Sequence, residues 1–336
     1  MKIEEIGEIN LIKHLTTNLT QEYDSSVKLG VGDDAAAIKL SDDHYLLLTV
    51  DMLVEGRHFL IDKIQPEQLG HKSLAASLSD IAAMGGSPRY ALISVGWPAY
   101  VDLNYTERVY AGLRELAHEF GVNIIGGDTV KAPQLVVDVT LLGEIKKEPI
   151  ARSGAQPGEL IAVTGRVGAS AAGLNLLVNE QNKEKLSSKT IDELLQAHLA
   201  PVPRVKEALL LVKNDIPTAM IDVSDGVVSE VNHICSSSGV GGIIYAENLP
   251  VDINTIEAAA CLEEDHLDWA LYGGEDYELI FTLPESKVSQ ARKVLSETGT
   301  ELHIIGKTLS SESGLHLEKE GEVVPLSVKG YDHFHE

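Results

Sequence analysis

With 336 residues, 44% of them hydrophobic, the chain is longer than one hydrophobic core usually supports and apolar enough to fill two. A formal charge of −24 with no Lys or Arg cluster excludes nucleic acid and anionic membranes as partners, although bound metal ions could still draw in a phosphorylated small molecule. Two separate cysteines, Cys235 and Cys261, suit buried thiols rather than a disulfide framework or a zinc site, and an acidic N-terminus without any membrane-length apolar run predicts a soluble, cytoplasmic protein.

Along the chain, residues 45–50 read as a buried strand that runs into Asp51. Pro66 opens a helix, which Leu74, Leu78, Ile81 and Ala82 continue at helical spacing until Gly85-Gly86 stops it. A strand at 91–95, a helix at 105–120 and a strand at 135–145, where Leu135, Val137, Val139 and Leu141 alternate, make the first domain mixed α/β. The segment 146–158 loses apolar periodicity and gathers charge, Gly and Pro, which suits an interdomain connection; the expected domains are 1–148 and 149–336. The second is again α/β, with strands at 159–164, 218–222, 277–282 and 301–305 and helices from 169, at 203–213, from 226 and at 285–298.

Aspartates recur inside short runs of small residues: Gly30-Val31-Gly32-Asp33-Asp34, Thr49-Val50-Asp51, Leu78-Ser79-Asp80, Gly126-Gly127-Asp128-Thr129, Asp222-Val223-Ser224-Asp225-Gly226 and Gly273-Gly274-Glu275-Asp276. Small residues let backbone approach a ligand, and gathered carboxylates repel one another unless cations lie between them. Hard oxygen ligands point to Mg²⁺. Asp80 falls near the C-terminal end of its helix, where the backbone dipole disfavours negative charge. Asp222 and Asp225 straddle a strand-to-helix turn and face the crevice where open α/β sheets bind ligands, although Asp225 or Ser224 could instead cap the helix. Asp128 is expected at a strand end, where an Asx turn would look the same. The run Gly165 to Gly173 lacks a P-loop ending and reads as close helix packing. His58, His333 and His335 show no metal-ligand spacing, and no nucleophilic triad stands out.

Taken together, these motifs resemble the thiamine-monophosphate kinase family, part of the superfamily of aminoimidazole ribonucleotide synthetase and selenophosphate synthetase. The likeness also runs through Gly56-Arg57-His58-Phe59, Ala151-Arg152-Ser153-Gly154 and the ending Lys329-Gly330-Tyr331-Asp332-His333-Phe334. The absence of any Cys before 235 speaks against a selenophosphate synthetase, and intact carboxylates throughout speak against a non-catalytic binder.

The resemblance implies two α/β domains, a homodimer through the N-terminal sheets, and ATP-dependent phosphorylation of thiamine monophosphate with several Mg²⁺ ions. It assigns Asp34, Thr49, Asp51, Asp80, Asp128, Asp222 and Asp225 to the metals. Tyr110, Gly127, Asp128, Arg152 and Ser224 fall on the nucleotide side, and His58, Glu275 and Tyr331 on the acceptor side. No dedicated general base is implied, because the acceptor phosphate brings its own oxygen nucleophile. Val50 and Ser77 depart from residues common at those positions in the family.

Overall fold

The computed structural model of the chain describes residues 6–17, 19 and 23–326. After helix α1 (Glu8–Thr16), the strands β1 (Val27–Leu29), β2 (Ala36–Ser41) and β3 (His44–Val54) lead into helix α2 (Pro66–Ala83). Strand β4 (Ser87–Trp97), helix α3 (Leu103–Phe120), β5 (Asn123–Lys131) and β6 (Val136–Ile145) complete a six-stranded sheet of order β1-β2-β3-β6-β4-β5. Its ladders are antiparallel except for β4 with β5, which α3 joins by a crossover.

A second sheet begins with β7 (Leu160–Thr164), followed by helices α4 (Ala169–Val178), α5 (Ser188–Leu199) and α6 (Val205–Lys213). It continues through β8 (Ala219–Asp222), α7 (Val227–Ser238), β9 (Gly241–Tyr245), α8 (Ile253–Leu262) and α9 (His266–Tyr272). The final elements are β10 (Leu279–Leu283), α10 (Val288–Leu295), β11 (Leu302–Leu309), β12 (Leu315–Lys319) and β13 (Glu322–Pro325). The order of this seven-stranded sheet is β13-β12-β9-β11-β7-β10-β8.

Helix α2 positions the site. Pro66 stands at its start, Gln65 and Gln68 form a reciprocal capping box, and Gly85, at φ +73°, follows its last turn. Every residue of α2 except Glu67, Gln68, His71 and Asp80 is buried, because β3 and β6 cover one side while α6 and β8 of the second unit cover another. Leu69, Leu74, Leu78 and Ile81 are wholly enclosed, each contributing on the order of 2 kcal/mol. One continuous core therefore runs from Leu47 and Val139 through α2 to Met220 and Phe281. A helix enclosed in this way must pair each of its polar side chains, and those pairs build the site.

Several expectations are corrected. The strand expected to end before Asp51 continues to Val54, and that expected to end before Asp128 continues to Lys131. In both places pairing with a neighbouring strand carries the chain past the aspartate. The helix expected at 285–298 is shorter, with a 3₁₀ turn before α10. Cys235 is buried as expected, whereas Cys261 is only half-buried. Close packing explains the 165–173 run, since a Cβ at Gly173 would lie 2.1 Å from the Leu194 carbonyl on α5.

Candidate active site

Three carboxylates from distant parts of the chain converge at the C-terminal end of α2. Asp34 precedes β2, Asp80 lies in the last turn of α2 and Asp222 ends β8; one oxygen from each lies within 4.8 Å of the others. Thr49 and Asp51 join them from β3, on the face opposite exposed Val50 and Met52. Thr49 Oγ1 donates to Asp80 Oδ2 at 2.5 Å, and Ser79 Oγ donates to Asp222 Oδ2 at 2.6 Å. Ser77 Oγ stands 3.0 Å from Asp51 Oδ2.

Positive charge enters this group through Arg152, whose Nη2 and Nε lie 2.6 and 3.2 Å from Asp34 Oδ1. Its backbone N–H is shared between the Asp33 oxygens at 3.2 and 3.3 Å. The second oxygen of Asp34, Oδ2, is buried without a hydrogen-bond partner among the described residues. Burial and then the charges of Asp51, Asp222 and Asp34 hold the Asp80 carboxyl well above its ordinary range. Asp222 is pushed up to about 8 by burial and then by Asp34. Burial also raises Asp51, and raises Asp34 against the pull of Arg152. Together these buried, mutually repelling oxygens, one of them orphaned, fit a divalent cation.

The loop after β8 borders this cluster. The capping role open to Ser224 or Asp225 is not what the fold uses: the N-cap of α7 is Gly226, without a side-chain cap. Buried Glu230 instead accepts from the Asp225 N–H at 2.9 Å and from Ser224 Oγ at 3.4 Å. The Ser224 carbonyl accepts from the Glu275 N–H at 2.8 Å. Gly274 permits this approach, because a Cβ there would lie 2.3 Å from that carbonyl oxygen. The Asp222–Gly226 and Gly273–Glu278 segments thus form one wall.

On that wall Glu275 accepts from Lys72 Nζ of α2 at 2.9 Å, and the Lys72 side chain is fully buried. Burial raises the Glu275 carboxyl, but Lys72 and the neighbouring histidines outweigh it, leaving the group below its ordinary value. His58 is one of those histidines, and its Nδ1 accepts from the Val54 N–H at 3.0 Å. Two acceptor-side candidates therefore lie within electrostatic reach of each other.

Other expected site residues stand apart from the three converging carboxylates. Asp128 is exposed on edge strand β5, its Oδ1 accepting from the Thr129 N–H at 2.8 Å. Register aligns Asp128 with Ser94, Asp138 and Met52, on the face of the sheet opposite Asp51, while Gly127 pairs with Ile93. Tyr110 is half-buried on α3 against the core. Tyr331 lies outside the described residues. Sequence reasoning missed Lys72 and gave Ser79 no role. The available signal was a lysine on the same helical face as Leu69 and Ala76.

Known proteins share both the sequence and the fold of this chain. Residues 32–145 match the family described as "AIR synthase related protein, N-terminal domain", and residues 156–317 match its C-terminal domain. The chain is 38% identical to the thiamine-monophosphate kinase of Escherichia coli strain K12, over 98% of each chain. It is 37% identical to that of Bacillus subtilis strain 168, over 98% of this chain and all of the relative. A solved structure described as "AaThiL complexed with AMPPCP and TMP" superimposes with a TM-score of 0.86 at 32% identity, covering 99% of each chain. The chain thus belongs to the thiamine-monophosphate kinase family, built from the two AIR synthase related domains.

Proposed function

We infer that the protein transfers the γ-phosphoryl group of ATP to the phosphate of thiamine monophosphate, giving thiamine diphosphate and ADP. Near-full-length identity with thiamine-monophosphate kinases supports the reaction class, as does the likeness to a relative solved with AMPPCP and TMP. The observation that carries the reading is the convergence of Asp34, Asp80 and Asp222, with one buried oxygen left unpartnered. Nucleophile activation by the protein is unnecessary, because the acceptor is already anionic at neutral pH; the chain's task is to align two anions and offset their repulsion.

We assign Asp34, Asp80 and Asp222, with Thr49, Asp51 and Asp225 beside them, as holders of Mg²⁺. Bound there, several such ions would neutralise the phosphates and the charge developing during transfer. Arg152, oriented by Asp33 and Asp34, offers a guanidinium to the nucleotide, and Ser224 borders the same wall. Gly127, Asp128 and Tyr110 are assigned to the nucleotide side, and Asp128 also to the metals, on the family likeness alone. Tyr331 is assigned to the acceptor on the same ground. His58 and Glu275 complete the acceptor side, supported by the electrostatic reach of His58 to the Glu275 carboxylate.

The proposed units, 1–148 and 149–336, each contribute carboxylates, so the reaction belongs to the cleft they share. The open face of the six-stranded sheet leaves Val50, Met52, Tyr90 and Leu92 between 37% and 60% exposed, which supports pairing with a second copy as a homodimer. No helix among the described residues is long and apolar enough to cross a membrane. The dependence on ATP supports a cytoplasmic location. The reading is tested by ³¹P NMR of purified protein with ATP, Mg²⁺ and thiamine monophosphate. Stoichiometric thiamine diphosphate and ADP are expected; ADP with inorganic phosphate and unchanged acceptor would refute it.

A further inference from the structure

Helix α2 carries a charge wholly inside the molecule that phosphoryl transfer does not itself require. Lys72 is 0% exposed, with Nζ 2.9 Å from Glu275 Oε2 and 3.3 Å from His198 Nε2. His198, buried on α5, places Nδ1 3.1 Å from Ser170 Oγ and 3.4 Å from Glu275 Oε2. Ser170 is the second residue of α4, and its N–H donates to Asp276 Oδ1 at 3.1 Å while the Gly168 N–H donates to Asp276 Oδ2 at 2.7 Å. Because Glu275 and Asp276 are adjacent in the chain, the contacts close into a ring: Glu275, Lys72, His198, Ser170, Asp276.

The ring has a defined proton arrangement. An ammonium has donors only, so His198 Nε2 must accept and Nδ1 must carry the proton of a neutral imidazole. Burial, and then the charge of Lys72, push the imidazole down to about 4, in keeping with that neutral form. The segment held by the ring is strained: Glu275 and Tyr277 sit at φ +62° and +51°, which side chains with a Cβ rarely adopt unless their surroundings over-determine them. A core needing stability alone would be served as well by a hydrophobic residue at position 72. The lysine instead reaches a carboxylate of the Gly273–Glu278 wall that is partly accessible, Glu275 having 26% of its side chain exposed.

We propose that Lys72, His198, Ser170 and Asp276 form a positioning circuit that fixes Glu275 as an oriented anion in the acceptor pocket, favouring an acceptor with a positively charged ring. The proposal rests on the reading of Glu275 as an acceptor-side residue. Lys72 and His198 touch no ligand in this account and act through Glu275.

A double-mutant cycle in the full-length protein tests it, with KM for thiamine monophosphate and for ATP measured in Lys72→Met, Glu275→Gln and the combination. Glu275→Gln and Lys72→Met should each raise the acceptor KM about tenfold or more and leave that for ATP within about twofold, as expected when a positioned contact is lost. The combination should be no worse than Glu275→Gln alone. His198→Gln should shift the acceptor KM in the same direction, and it carries the test if Lys72→Met does not fold. ¹⁵N NMR of the unaltered protein should show His198 neutral and protonated on Nδ1.

Full additivity of the two substitutions would overturn the proposal, as would equal rises in both KM values or an Nε2-protonated His198. An acceptor KM unchanged in folded Lys72→Met and His198→Gln, with Glu275→Gln impaired, would remove the circuit and leave the acceptor assignment standing. An unchanged acceptor KM in Glu275→Gln would remove that assignment and the proposal with it.

Discussion

The two ends of helix α2 treat buried charge in opposite ways. In its second turn Lys72 meets Glu275 and a neutral His198, and the chain balances its own charge there. Two turns further on, roughly 12 Å along the axis, Asp80 joins Asp34 and Asp222 around a single guanidinium that touches only Asp34 among those three. Both ends are enclosed by the same core, so burial alone does not separate them. The difference is whether the sequence supplies the counter-ion. Where it does, a charge can hold a neighbour in place; where it does not, the proposed Mg²⁺ would supply the missing positive charge.

Asp80→Asn is the largest expected break in that contrast. Turnover should fall on the order of 10³-fold, the scale of losing a main electrostatic contact in a transition state. The cation-free protein should nevertheless melt at a higher temperature, because a carboxyl disfavoured by burial and three like charges is gone. Lys72→Met should do the reverse to stability, costing about 3–5 kcal/mol as a broken buried pair. Thermal melts of both variants beside activity assays decide this; destabilised cation-free Asp80→Asn would contradict the unbalanced-cluster account.

A smaller effect should appear in pH dependence. Burial and then Asp34 push the folded Asp222 carboxyl up to about 8, against an ordinary carboxyl value of about 4 when unfolded. The folded state therefore binds its proton more tightly, and stability present below about pH 4 is lost as pH rises through about 8. Urea unfolding without divalent cations should show this decline, and excess Mg²⁺ should flatten it by compensating the ionised cluster. Equal slopes with and without Mg²⁺ would count against a cation site.

Smallest in its effect on chemistry is a change to the open sheet face. The unaltered protein should sediment as a dimer and Val50→Lys with Met52→Lys as a monomer, since both side chains leave apolar surface exposed. An unaltered protein that sediments as a monomer would remove the proposed pairing.

What was legible in the sequence is what local chemistry decides. Pro66 and Gly85 bracket α2, alternation marks β6, and an aspartate at the C-terminal end of a helix pointed to charge needing compensation. The extent of β5 was not legible, because Gly126-Gly127-Asp128 reads as a strand end until a bulged parallel ladder with β4 carries it onward. The face on which Asp128 stands depends on that ladder. Equally hidden were the partners of Lys72, 126 and 203 residues away, and the hold of Arg152 on Asp34. The motifs were visible singly; that those of Asp34, Asp80 and Asp222 meet at the end of α2 was a property of the fold.

The most direct test of the central claim is Mn²⁺ binding, followed by electron paramagnetic resonance with AMPPCP present, in the unaltered protein and in Asp80→Asn/Asp222→Asn. Saturable tight binding in the unaltered protein and its loss in the double variant are the predicted result. Equal Mn²⁺ binding by the two, with both folded, would contradict the assignment of this carboxylate cluster as the metal site.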